Sequence, residues 1–302
     1  MRPPARLRPP EPLRDYVDEV MDDRLPGLAA ETAFFVVLSI FPGLLVAGSL
    51  LGLLDAVVGE QVAEQSQERV LDLLALVLTD EASGVLESVR SLFEDSRGGL
   101  LTFATVGALV SLSGAFAVAV NALNLAHDAD ETRPWLRRRL VGLAMAVGTL
   151  LLAVLALTVL IVGPLFGRGQ DLADLIGLGS VFAFVWDVVR LPAMALVILG
   201  WTTAVLHFAP SRRVPWRDAL PGALLAAALW GVASAGFRVY LGFAADSNPV
   251  LGAFGGGAIV MTWVYLLSLS LLLGGELNAV RVQRRRLRSG RAPGDQLALF
   301  PA

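Results

Sequence analysis

Residues Ser180–Leu206 read SVFAFVWDVVRLPAMALVILGWTTAVL. The stretch is long and apolar enough to cross a bilayer, since ~20 such residues span a hydrocarbon core of ~30 Å. It nevertheless carries two charges, Asp187 and Arg190, three residues apart and so on one face of a helix. A charge inside a span is costly and points to a partner or a water-filled cavity. Opposite charges at this spacing can also neutralise each other as a structural ion pair that fixes helix packing. Both readings stand. Pro192 follows two residues later and lacks an N–H, which favours a bend beside the pair.

The rest of the chain has the same character. Of its 302 residues 55% are hydrophobic and 17% charged, where a soluble domain carries about a quarter charged. Mean hydropathy is +0.66. Apolar runs give six expected spans, at about 29–54, 99–125, 140–166, 180–206, 220–243 and 255–280. The fold class expected is all-α: a polytopic membrane helix bundle of six transmembrane helices forming one domain over 13–280. An N-terminal amphipathic helix precedes it at Leu13–Leu25, with Leu13, Tyr16, Val17, Val20, Met21 and Leu25 at helical spacing. The other face of that helix carries Asp15, Asp18, Glu19, Asp22 and Asp23, too acidic for docking on anionic lipid. The helix is expected at the membrane interface or on the protein's own inner surface.

A helical outer insert of acidic character is expected at 55–98, between the first two spans. Residues 1–12, rich in Arg and Pro, read as a disordered tail, and 281–302 as a basic tail. No cleavable signal peptide is expected, because the N-terminal stretch lacks an apolar core.

All 24 basic residues are Arg, and their distribution sets orientation. Eighteen fall in the termini and in the loops before spans three and five. Four, Arg69, Arg90, Arg97 and Arg168, fall on the other side. The positive-inside rule therefore places both termini in the cytoplasm. Arg133-Pro134-Trp135 and Val214-Pro215-Trp216-Arg217 each precede a span, where Pro starts a helix and Trp anchors at the interface.

Two polar clusters are candidates for binding. In the outer half, at depths judged from ~1.5 Å of rise per residue, Asp187, Arg190 and Arg238 can meet. Trp230, Ser234 and Arg238 share one face of span five. At the inner end lie Glu31, Asn121, Asn124, Glu276 and Asn278. The alternative for these five is that polar residues near span ends reach the headgroups. Arg suits phosphate or carboxylate, so the ligand class expected is membrane lipid, an anionic lipid or an envelope precursor.

Enzymatic chemistry finds little support. There is no Cys and only two His, so thiolate and imidazole metal sites are all but excluded, and no cofactor is expected. Asp128, Asp130 and Glu131 are the one compact carboxylate group for metal-assisted hydrolysis, and a solvated charged turn is the simpler reading. His127 and His207 lack an obvious Ser partner. The glycine run Gly252–Gly257 is expected to serve a tight turn and close packing rather than phosphate binding. The cytoplasmic Arg residues are scattered, with Trp135 and Trp216 as interfacial anchors, so no nucleic acid is expected as partner.

Three stretches together resemble the YihY/BrkB family of bacterial inner-membrane proteins: AAETAFFVVLSIFPGLL in span one, NALNLAHDADETRPWLRRRL after span two, and FAPSRRVPWRDALPGALLAAALW through to GGAIVMTWVYLLSLSLLLGGELNAV in span six. The resemblance covers roughly Leu25 to Val280. It implies a six-helix inner-membrane protein with cytoplasmic termini, matching the Arg distribution. Members were once labelled a tRNA-processing ribonuclease, an assignment since withdrawn. Others are associated with resistance to serum killing or with tolerance of altered lipid A, where lipid export has been proposed. The family supplies no accepted catalytic residues. The function expected is therefore non-enzymatic: movement or flipping of a lipid or other envelope amphiphile through an intramembrane polar cavity. The alternative is a non-transporting envelope scaffold, and a ribonuclease comes last.

Overall fold

The computed structural model describes residues 12–53, 98–157, 159, 179–212, 214–244 and 249–288. The expected outer insert falls outside the described residues up to position 97, as does the N-terminal tail up to position 11. The described chain is helical: α1 (Pro12–Asp22), α2 (Leu25–Leu53), α3 (Gly98–Ala126), α4 (Trp135–Leu157), α5 (Gly179–Phe208), α6 (Trp216–Ala244) and α7 (Pro249–Arg288). No strand occurs among the described residues. Five of these helices are long and apolar enough to cross a membrane, over Thr105–Ala126, Trp135–Ala156, Val188–Phe208, Trp216–Val239 and Val260–Arg285. α2 adds a further apolar stretch, Leu25–Ile40. The molecule is a helical membrane bundle.

Several helices begin earlier than hydropathy places the spans. α4 starts at Trp135 and α6 at Trp216, each directly after a proline whose carbonyl accepts from the first turn. Proline presets a helical φ and gives up only an amide that has no helical partner there. Arg137, Arg138, Arg139 and Arg217 therefore sit on helical first turns rather than in loops. α7 begins at Pro249 for the same reason, which takes the run Gly252–Gly257 into a helix instead of a turn. At its other end α7 continues through the basic tail to Arg288, because nothing from Arg281 onward breaks a helix before Ser289-Gly290.

The N-terminal helix is shorter than expected. It ends at Asp22, and Arg24 takes a left-handed φ of 55° before α2 opens at Leu25. Pro26 in the first turn of α2 explains the break, since it has no N–H for the Asp22 carbonyl and its ring would clash with that carbonyl in a continuous helix. Leu25 consequently belongs to the core of the bundle. α1 packs on α2 and α7. Its inward face takes only part of the apolar stripe. Tyr16 and Val20 turn inward, whereas Val17 and Met21 are exposed and Glu19 and Asp23 are half-buried.

The core gathers at the end of the bundle where α1 lies. Leu25, Ala29, Ala119, Leu123, Leu206, Ala209, Ala219, Ala223 and Leu272 meet there. α3 and α7 are the inner helices, and α4, α5 and α6 expose more of their apolar length. α6 and α7 approach closely enough that a Cβ on Gly222 would collide with the Gly274 carbonyl oxygen, and one on Gly274 with the Gly222 carbonyl oxygen. Small residues permit such contact, and in lipid this packing replaces the hydrophobic driving force between helices. Trp201 on α5 fastens to α4 by donating its Nε1–H to Thr149 Oγ1 at 3.0 Å.

Candidate functional site

Of the five polar residues expected at the inner end, three turn inward. Asn124, Glu276 and Asn278 are 4%, 1% and 1% exposed. They do not reach for headgroups. Glu31 and Asn121 are exposed.

Asn278 clamps α7 to the first turns of α6. Its Oδ1 accepts the Gly222 N–H at 2.7 Å and its Nδ2 donates to the Ala219 carbonyl at 2.9 Å. Pro221 stands between those two groups, a proline inside the α6 helix, so a side-chain amide supplements backbone pairing where the helix is weakened. Near the clamp the Arg285 guanidinium pairs with Asp218.

Asn124 serves two turns at once. Its Oδ1 accepts from the Ser211 N–H at 2.7 Å, and its Nδ2 donates to Glu131 Oε2 at 2.9 Å. Glu131 in turn receives a bidentate pair from Arg133, Nε at 2.8 Å and Nη2 at 2.9 Å. Arg133 Nη2 also donates to the Ala209 carbonyl at 2.9 Å, and Ser211 Oγ to the Asp130 carbonyl at 2.9 Å. The turn after α3 is thereby tied to the turn after α5. This corrects the reading of Glu131 as a member of a solvated charged turn. Hydrogen bonds from Arg133 hold its carboxyl below the ordinary carboxylate range, against the opposing effect of burial.

Glu276 is different in kind. Its Oε2 is buried and meets no hydrogen-bond donor among the described residues. The charged groups acting on it are carboxylates: Asp23 and Glu19 from α1, and Asp128 from the turn after α3. Tyr16, the nearest hydroxyl on α1, donates to the Leu273 carbonyl at 2.8 Å. Burial, and then the Glu276 charge, push the Tyr16 phenol above its ordinary range. Among the described residues, the two non-glycine residues with left-handed backbone are Asp128 itself, φ 47°, and Arg24, beside Asp23. Such conformations are uncommon away from glycine and gather where the surroundings impose them. At Asp128 the turn is sealed by the Ala129 N–H donating to the Asn124 carbonyl at 2.9 Å.

Sequence reading missed Tyr16, Glu131, Arg133 and Ser211 as members of this end. Asn124 lies seven residues from Glu131, and Arg133 reaches the Ala209 carbonyl 76 residues away. The second of these leaves no local signal. Among the described residues, no three His, Asp or Glu side chains gather closely enough to hold a metal ion.

The outer group is arranged otherwise. Arg238 and Ser234 are exposed, and Arg190 and Trp230 are half-buried. The Asp187 side chain lies outside the described residues. Trp230 Nε1 donates to the Leu267 carbonyl at 2.8 Å, and Trp263 Nε1 to Ser234 Oγ at 3.3 Å. Phe237 and Trp263 stack with centroids 5.8 Å apart. Trp230 and Ser234 thus join α6 to α7.

Against known proteins, the family model described as "Virulence factor BrkB" matches residues 16–297. The chain belongs to the BrkB family. Within reach of that assignment, it is 30% identical over 262 residues to the ribonuclease-like protein YfkH of Bacillus subtilis (strain 168), covering 86% of this chain and 90% of that one. It is 28% identical over 264 residues to a UPF0761 membrane protein of Stenotrophomonas maltophilia (strain R551-3), 86% of this chain and 58% of the other. It is 27% identical over 281 residues to UPF0761 membrane protein xcc-b100_3490 of Xanthomonas campestris, 89% of this chain and 61% of the other. The chain thus spans about three-fifths of the length of these UPF0761 relatives. No solved structure matches it. The BrkB match and the apolar helices agree on a multi-pass membrane protein, from a family of membrane proteins that is not a known enzyme family.

Proposed function

We propose that this BrkB-family protein is a non-enzymatic, six-span protein of the bacterial inner membrane with both termini cytoplasmic, and that it moves or flips a lipid or other envelope amphiphile. One observation carries the reading. A carboxyl group, Glu276, is buried inside an apolar bundle with one oxygen unmatched, while the neighbouring Asn124 and Asn278 are fully engaged. A protein that needed this end only as a scaffold gains nothing from an unmatched buried acid, which is costly to keep. Arg190 and Arg238 supply charge for an anionic headgroup in the other half.

The ribonuclease-like name of the Bacillus relative finds little chemistry here. Glu131 is engaged by Arg133 and Asn124, and Asp128 caps α3 in a left-handed conformation. Neither is arranged to hold a metal with a bound water. Pure protein is expected to leave RNA intact; metal-dependent cleavage abolished by Asp128→Ala would reverse this reading.

The decisive experiment is lipid identification by mass spectrometry on protein extracted into native nanodiscs. The expected result is reproducible enrichment of one lipid class over the bulk membrane. A lipid profile equal to the bulk would favour the scaffold. Orientation is checked by reporter fusions: those after Arg139, Arg217 and Arg281 should report cytoplasm, and one at Gln65 the outside. A cytoplasmic signal at Gln65 would overturn the topology.

A further inference from the structure

We infer that Glu276 is a proton-binding site covered by α1, and that loading and release of its proton moves α1. The inference deepens the transport reading by adding a proton site to it, and its test is independent of transport.

Four observations meet at this residue. Glu276 is 1% exposed, and its Oε2 has no donor among the described residues. The charged side chains that act on it, Glu19 and Asp23 on α1 and Asp128 after α3, share its sign. Tyr16, facing it from α1, gives its hydroxyl hydrogen to the Leu273 carbonyl and leaves none for the carboxylate. From α6, the acid Asp218 is already paired with Arg285, more than two turns further along α7. An ionised Glu276 would thus sit in an apolar wall facing three like charges, with no hydrogen bond to its inner oxygen. A proton on Oε2 removes the repulsion and requires no space. A divalent metal ion needs several oxygen ligands, and among the described residues no three His, Asp or Glu side chains are grouped to hold one.

The remaining question is what the proton would do. α1 is an eleven-residue helix held on the bundle by Tyr16, Val20 and its contacts with α2 and α7. Its connection to α2 turns on a single left-handed residue, Arg24. With the carboxyl neutral, α1 lies closed over Glu276. With it ionised, Glu19 and Asp23 are repelled and α1 lifts about Arg24. The chemical step is carboxylate plus proton giving carboxylic acid, with the proton taken from water at the α1 end and returned there on opening.

Two measurements on the full chain in lipid nanodiscs test this. The first is infrared titration. In the difference spectrum between the unsubstituted protein and Glu276→Gln, a protonated-carboxyl stretch should be present at acid pH and vanish at alkaline pH. Glu19→Gln combined with Asp23→Asn, on the outer helix, should move the pH at which the band vanishes. The second needs no variant. Dicyclohexylcarbodiimide reacts with protonated carboxyls in apolar surroundings, and its adduct can be mapped by mass spectrometry. The adduct should fall on Glu276, decline by about tenfold per pH unit once the acid is mostly ionised, and ignore replacement of choline chloride by sodium chloride. Protection by sodium at fixed pH would make this a metal-cation site and overturn the proposal. So would an adduct yield constant across pH, absence of any adduct on Glu276, or a difference spectrum with no such band. If titration succeeds while no lipid class is enriched, the proton site stands and the transport reading falls.

Discussion

The two polar groups of this bundle face opposite problems. At the α1 end, Asn124, Glu276 and Asn278 are buried, and all but Glu276 have every side-chain polar atom engaged. In the other half, Arg238 and Ser234 are exposed, and the contacts between α6 and α7 come from indoles: Trp230 to a backbone carbonyl, Trp263 to Ser234. The first arrangement fixes helices by matched amides. The second leaves its charge open to whatever surrounds the helix. Polar side chains at similar sequence spacing thus do different work, because burial sets the cost of leaving them unmatched.

Breaking the first arrangement should have the largest effect. Gly222→Ala drives a Cβ into the Gly274 carbonyl and the Asn278 amide. The expected loss is about 3 kcal/mol or more, from overpacking and a broken clamp together, seen as collapse of thermal stability in detergent. Wild-type stability would show that the α6–α7 crossing is looser than described. Asn278→Ala comes next. It strips partners from the Gly222 N–H and relieves the Ala219 carbonyl of a donor, at about 1–3 kcal/mol for each buried group left unsatisfied. Arg133→Ala should cost about 2 kcal/mol, within the range for hydrogen bonds to charged groups. A double-mutant cycle with Glu131→Gln should show coupling between the two.

How much of this contrast the sequence disclosed depends on the range of the interaction. The apolar runs were legible, because a bilayer demands long uncharged helices and the pattern is written locally. Pro134 and Pro215 were read as helix starts, yet the spans were placed from 140 and 220, because Arg-rich turns lack the apolar signal that marks a span. The surface met by the apolar stripe of α1, membrane interface or the protein itself, was left open. The fold turns Tyr16 inward with Glu19 and Asp23 half-buried, leaving Val17 and Met21 exposed, because the chain closes on an acid from α7. Glu276 and Asn278 were named as candidates, yet no local signal says whether a polar residue near a span end points to headgroups or to a neighbouring helix. Glu131 and Arg133 gained their importance from Asn124 and the Ala209 carbonyl, partners that only the fold brings near.

Acid should sharpen the comparison more gently. Arg133 holds Glu131 below the ordinary carboxylate range, so the stability from that pair is present above the unfolded value, near 4, and is lost as pH falls through the lower folded value. Thermal melts of Glu131→Gln beside the unsubstituted protein should diverge near neutrality and converge in acid. A constant difference at all pH values would separate the pair from the pH response. The smallest effect is expected at Arg238. As an exposed residue it should tolerate Arg238→Ala within about 0.5 kcal/mol, and a larger loss would place it in a buried contact.

The central claim is that the unmatched acid serves activity and its matched neighbours serve structure. Glu276→Gln tests it most directly, with thermal stability and translocation of a fluorescent phospholipid measured on the same reconstituted preparation. The prediction is a folded protein at least as stable as the unsubstituted chain, with translocation lost. Reduced stability with an unchanged rate per folded molecule would contradict it and make Glu276 one more structural contact.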